Sequence, residues 1–519
     1  MLTEKQLLPS GWVKLKLSNA IEPRGEKISP QKFPDLPFIG MDHVEPHTTK
    51  ILGSVPAREM KSNAACFYAG DVLYGRLRPY LNKVAQPKND GLASAEFIVF
   101  SENELIKSSF LKYRLNAHDF VRFANHLNEG DRPRVSFEQI GDFDLLIPPP
   151  TEQERIANKL DELFSELDKG VENLRTAQQQ LKVYRQALLK HAFEGKLTAK
   201  WRAQNPDKLE SAEALLERIQ KEREACYQQQ LAEWRKAQQA WEAAGKIGSK
   251  PAKPKAPKVL PALTVEELVE LPELPKGWGW VRPEEIAAPE RYSIGIGPFG
   301  SNLKVEDYRE SGVPLIFVRN ITRSDFTRDL KYIDHSKYLE LEAHSVKPLD
   351  LVITKMGDPP GDCEIYPAES PMAVLTADCL KFRLWSEFAD RQLYKNCINS
   401  NLVRKQLGLI TKGVAQKKIS VDRFKTICLP LMCIDEQQKI EQELDEKFSV
   451  IDQLEKNIVD SLVQAEVLRQ SILKKAFSGR LVPQLPDDEP ASVLLERIRS
   501  EHTAQQPARK RGRKVATSV

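Results

Sequence analysis

The sequence predicts an α+β protein written twice: two similar globular modules of strands and short helices, separated by two long helices. The helices are expected to pair as an antiparallel coiled coil about a pseudo-twofold axis. Three observations predict this. First, the stretch Thr151 to Leu197 returns as Asp435 to Leu481, at a constant offset of 284 positions and without a gap. Glu152, Gln153, Ile156, Leu160, Asp161, Glu162, Phe164 and Ser165 recur as Glu436, Gln437, Ile440, Leu444, Asp445, Glu446, Phe448 and Ser449. Second, each copy carries one narrow apolar stripe with charged residues between. Third, the segments ahead of the copies share scaffold positions while their loops differ.

Residues 1–150 form the first module. LPFIGMDHV (36–44), FYAGDVLYG (67–75) and GLASAEFIVF (91–100) read as strands bounded by Gly, Pro and Asn. SSFLKYRLNAHDFVRFANHL (108–127) has helical spacing. Prolines at 148–150 stop the unit before residues 151–197, the first long helix. Its stripe runs through Ile156, Leu160, Leu167, Leu174, Leu181 and Leu188; that of residues 435–481 runs through Ile440, Leu444, Ile451, Ile458, Leu468 and Ile472. A narrow stripe on a charged helix calls for a partner helix, and at 1.5 Å per residue each spans roughly 60 Å. An antiparallel pair sets the modules at opposite ends of a rod. Thr151 and Asp435 suit the N-termini, and Gly195 and Gly479 stand where a left-handed glycine ends a helix.

Residues 198–274 combine a charged helical region with the tract GKIGSKPAKPKAPKVLPAL (245–263), too poor in apolar residues to pack and read as an extended, solvated linker. Residues 275–434 repeat the first module's plan. Pro9-Ser10-Gly11-Trp12 returns as Pro275-Lys276-Gly277-Trp278, and VSFEQIGDFDLLIP as ISVDRFKTICLPLM (419–432), again offset by 284. Residues 482–519 hold a further helix, in which VLLERI echoes ALLERI (214–219), and a basic end, ARKRGRK, read as disordered.

The chain has 519 residues, 41% hydrophobic and 29% charged, with room for about three domain-sized units of a soluble protein. No apolar run suits a membrane span, and MLTEKQLLPSGW does not read as a signal peptide. The seven cysteines show no CxxC and read as reduced thiols of a cytoplasmic protein. A net charge of +4 neither demands nor excludes a nucleic-acid partner.

Chemistry is hard to find. Gly295, Gly297 and Gly300 spell GxGxxG, but Pro289 and Pro298 flank or interrupt it, and no acidic residue follows at the dinucleotide spacing. Asp358-Pro359-Pro360-Gly361 resembles the tetrad of amino-methyltransferases, with Gly361 in place of the stacking aromatic. There is no GxxxxGK[ST] and no HExxH, so neither a catalytic constellation nor a metal site is expected. What remains is basic loops with aromatic and amide neighbours: Arg76, Arg78, Tyr80, Lys83, Arg132 and Arg134 in the first module, and Arg319, Asn320, Lys355, Lys412, Gln416, Lys417 and Lys418 in the second. Such side chains neutralise phosphates and reach base edges.

PPPTEQERIANKLDELF, LKHAFEGKLTAKWRAQNP and SAEALLERI, with their second copies and the loops GRLRPYLNKV, GPFGSNLK and AQKKIS, resemble the specificity (S) subunit of type I restriction–modification systems over nearly the whole chain. The resemblance implies two target-recognition domains, each reading half of a bipartite, asymmetric double-stranded DNA site, held apart by the helix pair. It implies docking of two modification subunits, which carry S-adenosylmethionine and methylate adenine, and of restriction subunits carrying ATP and Mg and cutting unmodified DNA. The chain itself would bind no cofactor and catalyse nothing. The tract from Ala225 to Pro275 is longer than the rod needs. Rival readings are a stand-alone methyltransferase or nuclease, which needs motifs this sequence lacks, and a coiled-coil scaffold, which leaves two diverged basic modules unexplained.

Overall fold

The structure, a computed structural model, describes residues 8–128, 130–357, 359–411 and 417–505. Lys412 and Gln416, Asp358 of the Pro-Pro tetrad and the basic end 508–514 lie outside the described residues. The chain divides into two compact units, Met1–Thr176 with Asn457–Val519, and Ala177–Lys456. Each holds one module and one half of each long helix.

The long helices run Pro150–Phe193 and Ile434–Ala476. Each begins one residue earlier than the sequence suggests; in the first, Pro150 fits a first helical turn, where its missing N–H is not needed. Each ends in a paired turn. Gly195 (φ 68°) donates to the Ala192 carbonyl and Lys196 to that of His191. Gly479 (φ 69°) and Arg480 do the same to Ala476 and Lys475.

In the first unit, Ile156, Leu160 and Phe164 pack with Leu473, Ala476 and Phe477 on Trp12, Phe110 and Tyr113. The two helix halves run antiparallel, with Arg469 on Asp168 and above the Phe164 ring. In the second unit, Leu188, Leu189 and Phe193 pack with Ile440, Leu444 and Ile451, and Arg185 pairs with Asp452 over Phe448. Leu167, Leu174, Leu181 and Ile472 are part-buried, and Ile458 is buried. Leu468 departs from the expected stripe: it is 50% exposed, and its neighbour Arg469 is buried in its place. The seam turns there because the Asp168 carboxylate and the Phe164 face together hold a guanidinium more favourably than an isobutyl group.

The first module has a five-stranded sheet ordered Lys27–Ile28, Ala64–Phe67, Gly91–Ala93, Pro37–Ile39, Val55–Pro56, and a three-stranded one, Val84–Ala85, Val72–Gly75, Phe97–Phe100. Val13–Lys16 pairs antiparallel with Asp144–Ile147 ahead of the first long helix. The second module has two four-stranded sheets, one centred on Cys379–Phe382 and Leu351–Thr354, the other on Val313–Ile316 and Ala373–Leu375. Gly279–Val281 closes on Leu429–Leu431. The same parallel pair recurs within each, Pro37–Ile39 with Gly91–Ala93 and Val313–Ile316 with Ala373–Leu375. Gly295 and Gly297 flank one strand residue, and a Cβ on Gly297 would meet the Thr376 carbonyl oxygen at 2.0 Å. The GxGxxG run is therefore a strand edge pressed on a neighbouring backbone, with no phosphate-binding turn.

Each module is fastened to a long helix by the same buried clasp. Trp12 Nε1 donates to Glu152 at 3.1 Å, and Trp278 Nε1 to Glu436 at 2.8 Å. Gln153 accepts from the Lys107 N–H (2.9 Å) and donates to the Leu105 (2.8 Å) and Pro148 (2.9 Å) carbonyls. Gln437 accepts from Asp390 (2.9 Å) and donates to Phe388 and Met432 (both 3.0 Å). Burial raises the Glu152 carboxyl, opposed by the Trp12 indole.

Two helices outside the modules complete the cores. In the second unit Ala212–Ala243 buries Leu215 and Ile219 and donates from the Ala212 N–H to the Gly277 carbonyl. In the first, Ala491–Gln505 places Leu494 in the core, and the Ala491 N–H reaches Gly11. The Pro/Lys tract is extended, as its prolines dictate, but it is held to the fold. The Trp234 and Trp241 indoles donate to the carbonyls of Pro251 (3.0 Å) and Gly248 (3.1 Å), and Arg291 and Arg282 to those of Lys253 (2.6 Å) and Pro261 (2.7 Å). Composition predicts poor side-chain packing, and here it is the backbone that is held. The seven cysteines are free thiols. No helix among the described residues is long and apolar enough to cross a membrane.

Candidate nucleic-acid interface

The basic loops of each module meet on one ledge, built by the same hydrogen bonds in both. In the first module the strand Val72–Gly75 leads into Arg76, whose N–H donates to the Glu96 carbonyl (2.8 Å) and whose carbonyl accepts from Val135 (3.0 Å). Leu77 bridges Arg134. In the second, Leu351–Thr354 leads into Lys355, whose N–H donates to Asp378 (2.8 Å) and whose carbonyl accepts from Ile419 (3.0 Å), while Met356 bridges Lys418. Arg76 thus corresponds to Lys355, Arg134 to Lys418, and Glu96 to Asp378. Ser136 and Ser420 cap the short helices that follow. Two cationic positions on adjacent backbones, one of them hydrogen-bonded to the main-chain carbonyl of an acidic residue, recur although the loop sequences differ.

Side chains differentiate the ledges. Glu96 lies between two guanidiniums, 2.6 Å from Arg134 Nη2 and 3.7 Å from Arg76 Nε. The carboxylate orients both forks while leaving donors outward; the Arg134 side chain is 51% exposed. Sequence reasoning missed Glu96, and the only signal for it was a carboxylate inside the apolar run ASAEFIVF. Arg78 takes a left-handed backbone (φ 52°) and donates its N–H to Pro133 at 2.7 Å, so the two basic loops are tied together. A non-glycine residue there stores strain, which functional loops tend to hold. Tyr80 and Arg132 are exposed.

Two candidates are corrected by their surroundings. Lys83 turns inward and donates to the Met41 carbonyl at 2.5 Å, and burial lowers its ammonium pKa. Asn320 is buried, accepts from the Phe317 N–H and donates to the Asp325 and Arg328 carbonyls; it builds the loop from inside. The first module uses His43 in the same way, accepting on Nδ1 from the Gly40 N–H. Arg319 stacks on Phe317, 4.0 Å from the ring centroid, and donates to Asp329. Lys355 Nζ donates to Ala377 at 3.0 Å, and Lys417 and Lys418 are exposed. Among the described residues no cluster of His, Cys, Asp and Glu could hold a metal ion.

This geometry offers positively charged donors on exposed loops. The family model described as the type I restriction modification DNA specificity domain matches residues 34–174, which include the first ledge. The chain is similar to the specificity subunits of type I restriction enzymes. It is 30% identical over 224 residues to the EcoDI specificity subunit of Escherichia coli, covering 42% of this chain and 50% of that one. It is 24% identical over 436 residues to the EcoKI specificity subunit of Escherichia coli strain K12, covering 78% and 74%. The chain thus spans half the length of the EcoDI subunit and about three quarters of the EcoKI subunit. A solved chain from work on the complex assembly and conformational transition of the type I R-M system has a TM-score of 0.62 at 18% identity, covering 92% of this chain and 100% of that one. That likeness is one of fold.

Proposed function

We propose that this chain is the specificity subunit of a type I restriction–modification complex and reads a bipartite, asymmetric double-stranded DNA site, one half-site per module. The reading is carried by one observation: the same ledge is built twice with different side chains, Arg76, Arg134 and Glu96 in one module, Lys355, Lys418 and Asp378 in the other. A shared backbone positions cations on the phosphates, and differing side chains meet differing bases. Two unlike ledges call for two unlike half-sites.

In this reading the long helices set the separation of the half-sites, roughly one turn of duplex, and dock two modification subunits and the restriction subunits. Those subunits carry S-adenosylmethionine, ATP and Mg and perform adenine methylation or cleavage; this chain contributes recognition and assembly in the cytoplasm.

The test is methylation sequencing of the host genome with and without the gene. Loss of one bipartite adenine motif on deletion supports the reading and reports both half-sites. An unchanged methylome, with the modification subunit present and active, sinks it. Exchanging residues 1–150 for another recognition module should change one half-site only. Inserting four residues at a matched position in a long helix should change the gap and neither half-site. A purified chain that methylates DNA alone would establish the enzyme reading instead.

A further inference from the structure

The second unit carries a basic surface that the ledge does not use. Between Ala243 and Val265 there is no carboxylate, and there are five lysines: Lys246, Lys250, Lys253, Lys255 and Lys258. All five are exposed, and none has an ion-pair partner among the described residues. The tract is shaped as well as charged. From Pro251 on, every third residue turns toward the fold: Pro251, Pro254, Pro257 and Leu260 are part-buried, and the residues between them exposed. That is the period of a polyproline II helix, three residues per turn and about 3.1 Å per residue. Trp241, Trp234, Arg291 and Arg282 hold its carbonyls from Gly248 to Pro261, and Lys253 Nζ sits 5.8 Å from the centroid of the Trp234 ring.

We propose that this strap is a second, sequence-independent DNA contact, a row of lysines laid on the phosphates of duplex flanking the half-site read by the same module. The inference rests on the DNA-reading function proposed above. From Lys250 to Lys258 the strap is roughly 25 Å long by the polyproline rise, about the axial span of seven phosphates on one strand. Ammonium groups on flexible stems suit phosphates at loosely matched spacing, where base reading needs rigid forks. Because the strap is already extended and anchored, little chain entropy is lost on contact. An isolated solvated linker would need neither the inward proline period nor four side chains holding its backbone.

The experiment uses the full chain in its assembled complex, on two duplexes carrying the mapped site, one with long flanks and one trimmed to the half-sites. All five lysines are changed to Gln, and in a second variant to Arg. The expected result is a plot of log affinity against log salt shallower by about 2 to 4 for the Gln variant on the long duplex, at roughly 0.9 for each phosphate no longer neutralised. The Arg variant keeps the wild-type slope, the trimmed duplex removes the difference, and the methylated motif is unchanged. An unchanged slope on long flanks, an altered motif, or loss of a protein subunit from the complex with the slope intact each overturns the proposal. If the wild-type complex binds no specific site, the function reading has failed, and that outcome is separate from failure of the strap.

Discussion

Replacing Gln437 should loosen the second module from its helix while leaving the first intact. The side chain is fully buried and makes three hydrogen bonds, accepting from the Asp390 N–H and donating to the Phe388 and Met432 carbonyls. Gln437→Met keeps most of the volume and removes all three, leaving one buried donor and two buried acceptors unpaired. Each orphaned group costs about 1–3 kcal/mol, and local relaxation recovers part, so a loss of about 3–5 kcal/mol is expected. Gln437→Ala adds a cavity and should cost more. Hydrogen exchange of the full chain reads this locally: the Asp390 amide should lose protection with its unit, while Lys107, which donates to the matching Gln153, keeps its own. A loss below about 1 kcal/mol, or equal loss of protection at Lys107 and Asp390, would refute the clasp as the local fastening.

Arg134→Ala and Lys418→Ala should each weaken binding by about 1–3 kcal/mol if the side chain reads a base, relaxing only its own half-site; a phosphate contact gives a uniform loss and a smaller salt slope. Binding to duplex libraries randomised in one half-site separates the two. Lys381 is buried, donates to the Ser345 and Ala343 carbonyls, and has its pKa lowered to about 8, first by burial and then by nearby Arg383. Since its folded pKa lies below the unfolded 10.5, the unfolded chain binds more protons between the two, and stability rises from pH 8 to about 10.5. Urea melts should show that rise, on the order of 1–3 kcal/mol, relative to Lys381→Met, and equal pH dependence in both proteins would count against it. Gly297→Ala should destabilise the second module by about 2 kcal/mol or more, as its Cβ meets the Thr376 backbone; a melt unchanged within 0.5 kcal/mol, roughly the scatter of neutral surface changes, would contradict the close approach.

Much of the fold is legible because a repeat states it twice. Identical residues at a fixed offset reveal positions the fold cannot vary, and the clasp residues Glu152 and Gln153 were among them before any partner was visible. Apolar period placed much of the helix seam, but Leu454 and Leu468, both on the expected stripe, are exposed; the departure at Leu468 has a visible cause. Period counts hydrophobicity alone, and Arg469 enters the seam through a carboxylate and an aromatic face supplied by the other helix. The ledge was legible as basic loops. The pairing of 76–78 with 133–135, and of 355–356 with 418–419, was not, because backbone bonds between distant loops leave no residue signature. Asn320 and Lys83 show the limit of residue type as a guide, since the amide and ammonium that suit a base edge or a phosphate serve a buried carbonyl equally well.

The first unit's composition has a consequence for synthesis. Its core takes Leu473, Phe477 and Leu494 from the far end of the chain, and Asp488 closes on Arg155 at 2.5 Å with its carboxyl pKa lowered to about 2, chiefly by that hydrogen bond. The second unit is a single uninterrupted segment, Ala177–Lys456. At 5–20 residues per second, the module translated first waits roughly 15 to 60 seconds for its last core residues. The one translated second closes as soon as its own segment is out. Assembly therefore runs opposite to the order of translation, and the early module spends that interval with the apolar faces of Trp12, Phe110 and Ile156 short of their final partners, the period in which a nascent chain most needs a holding chaperone.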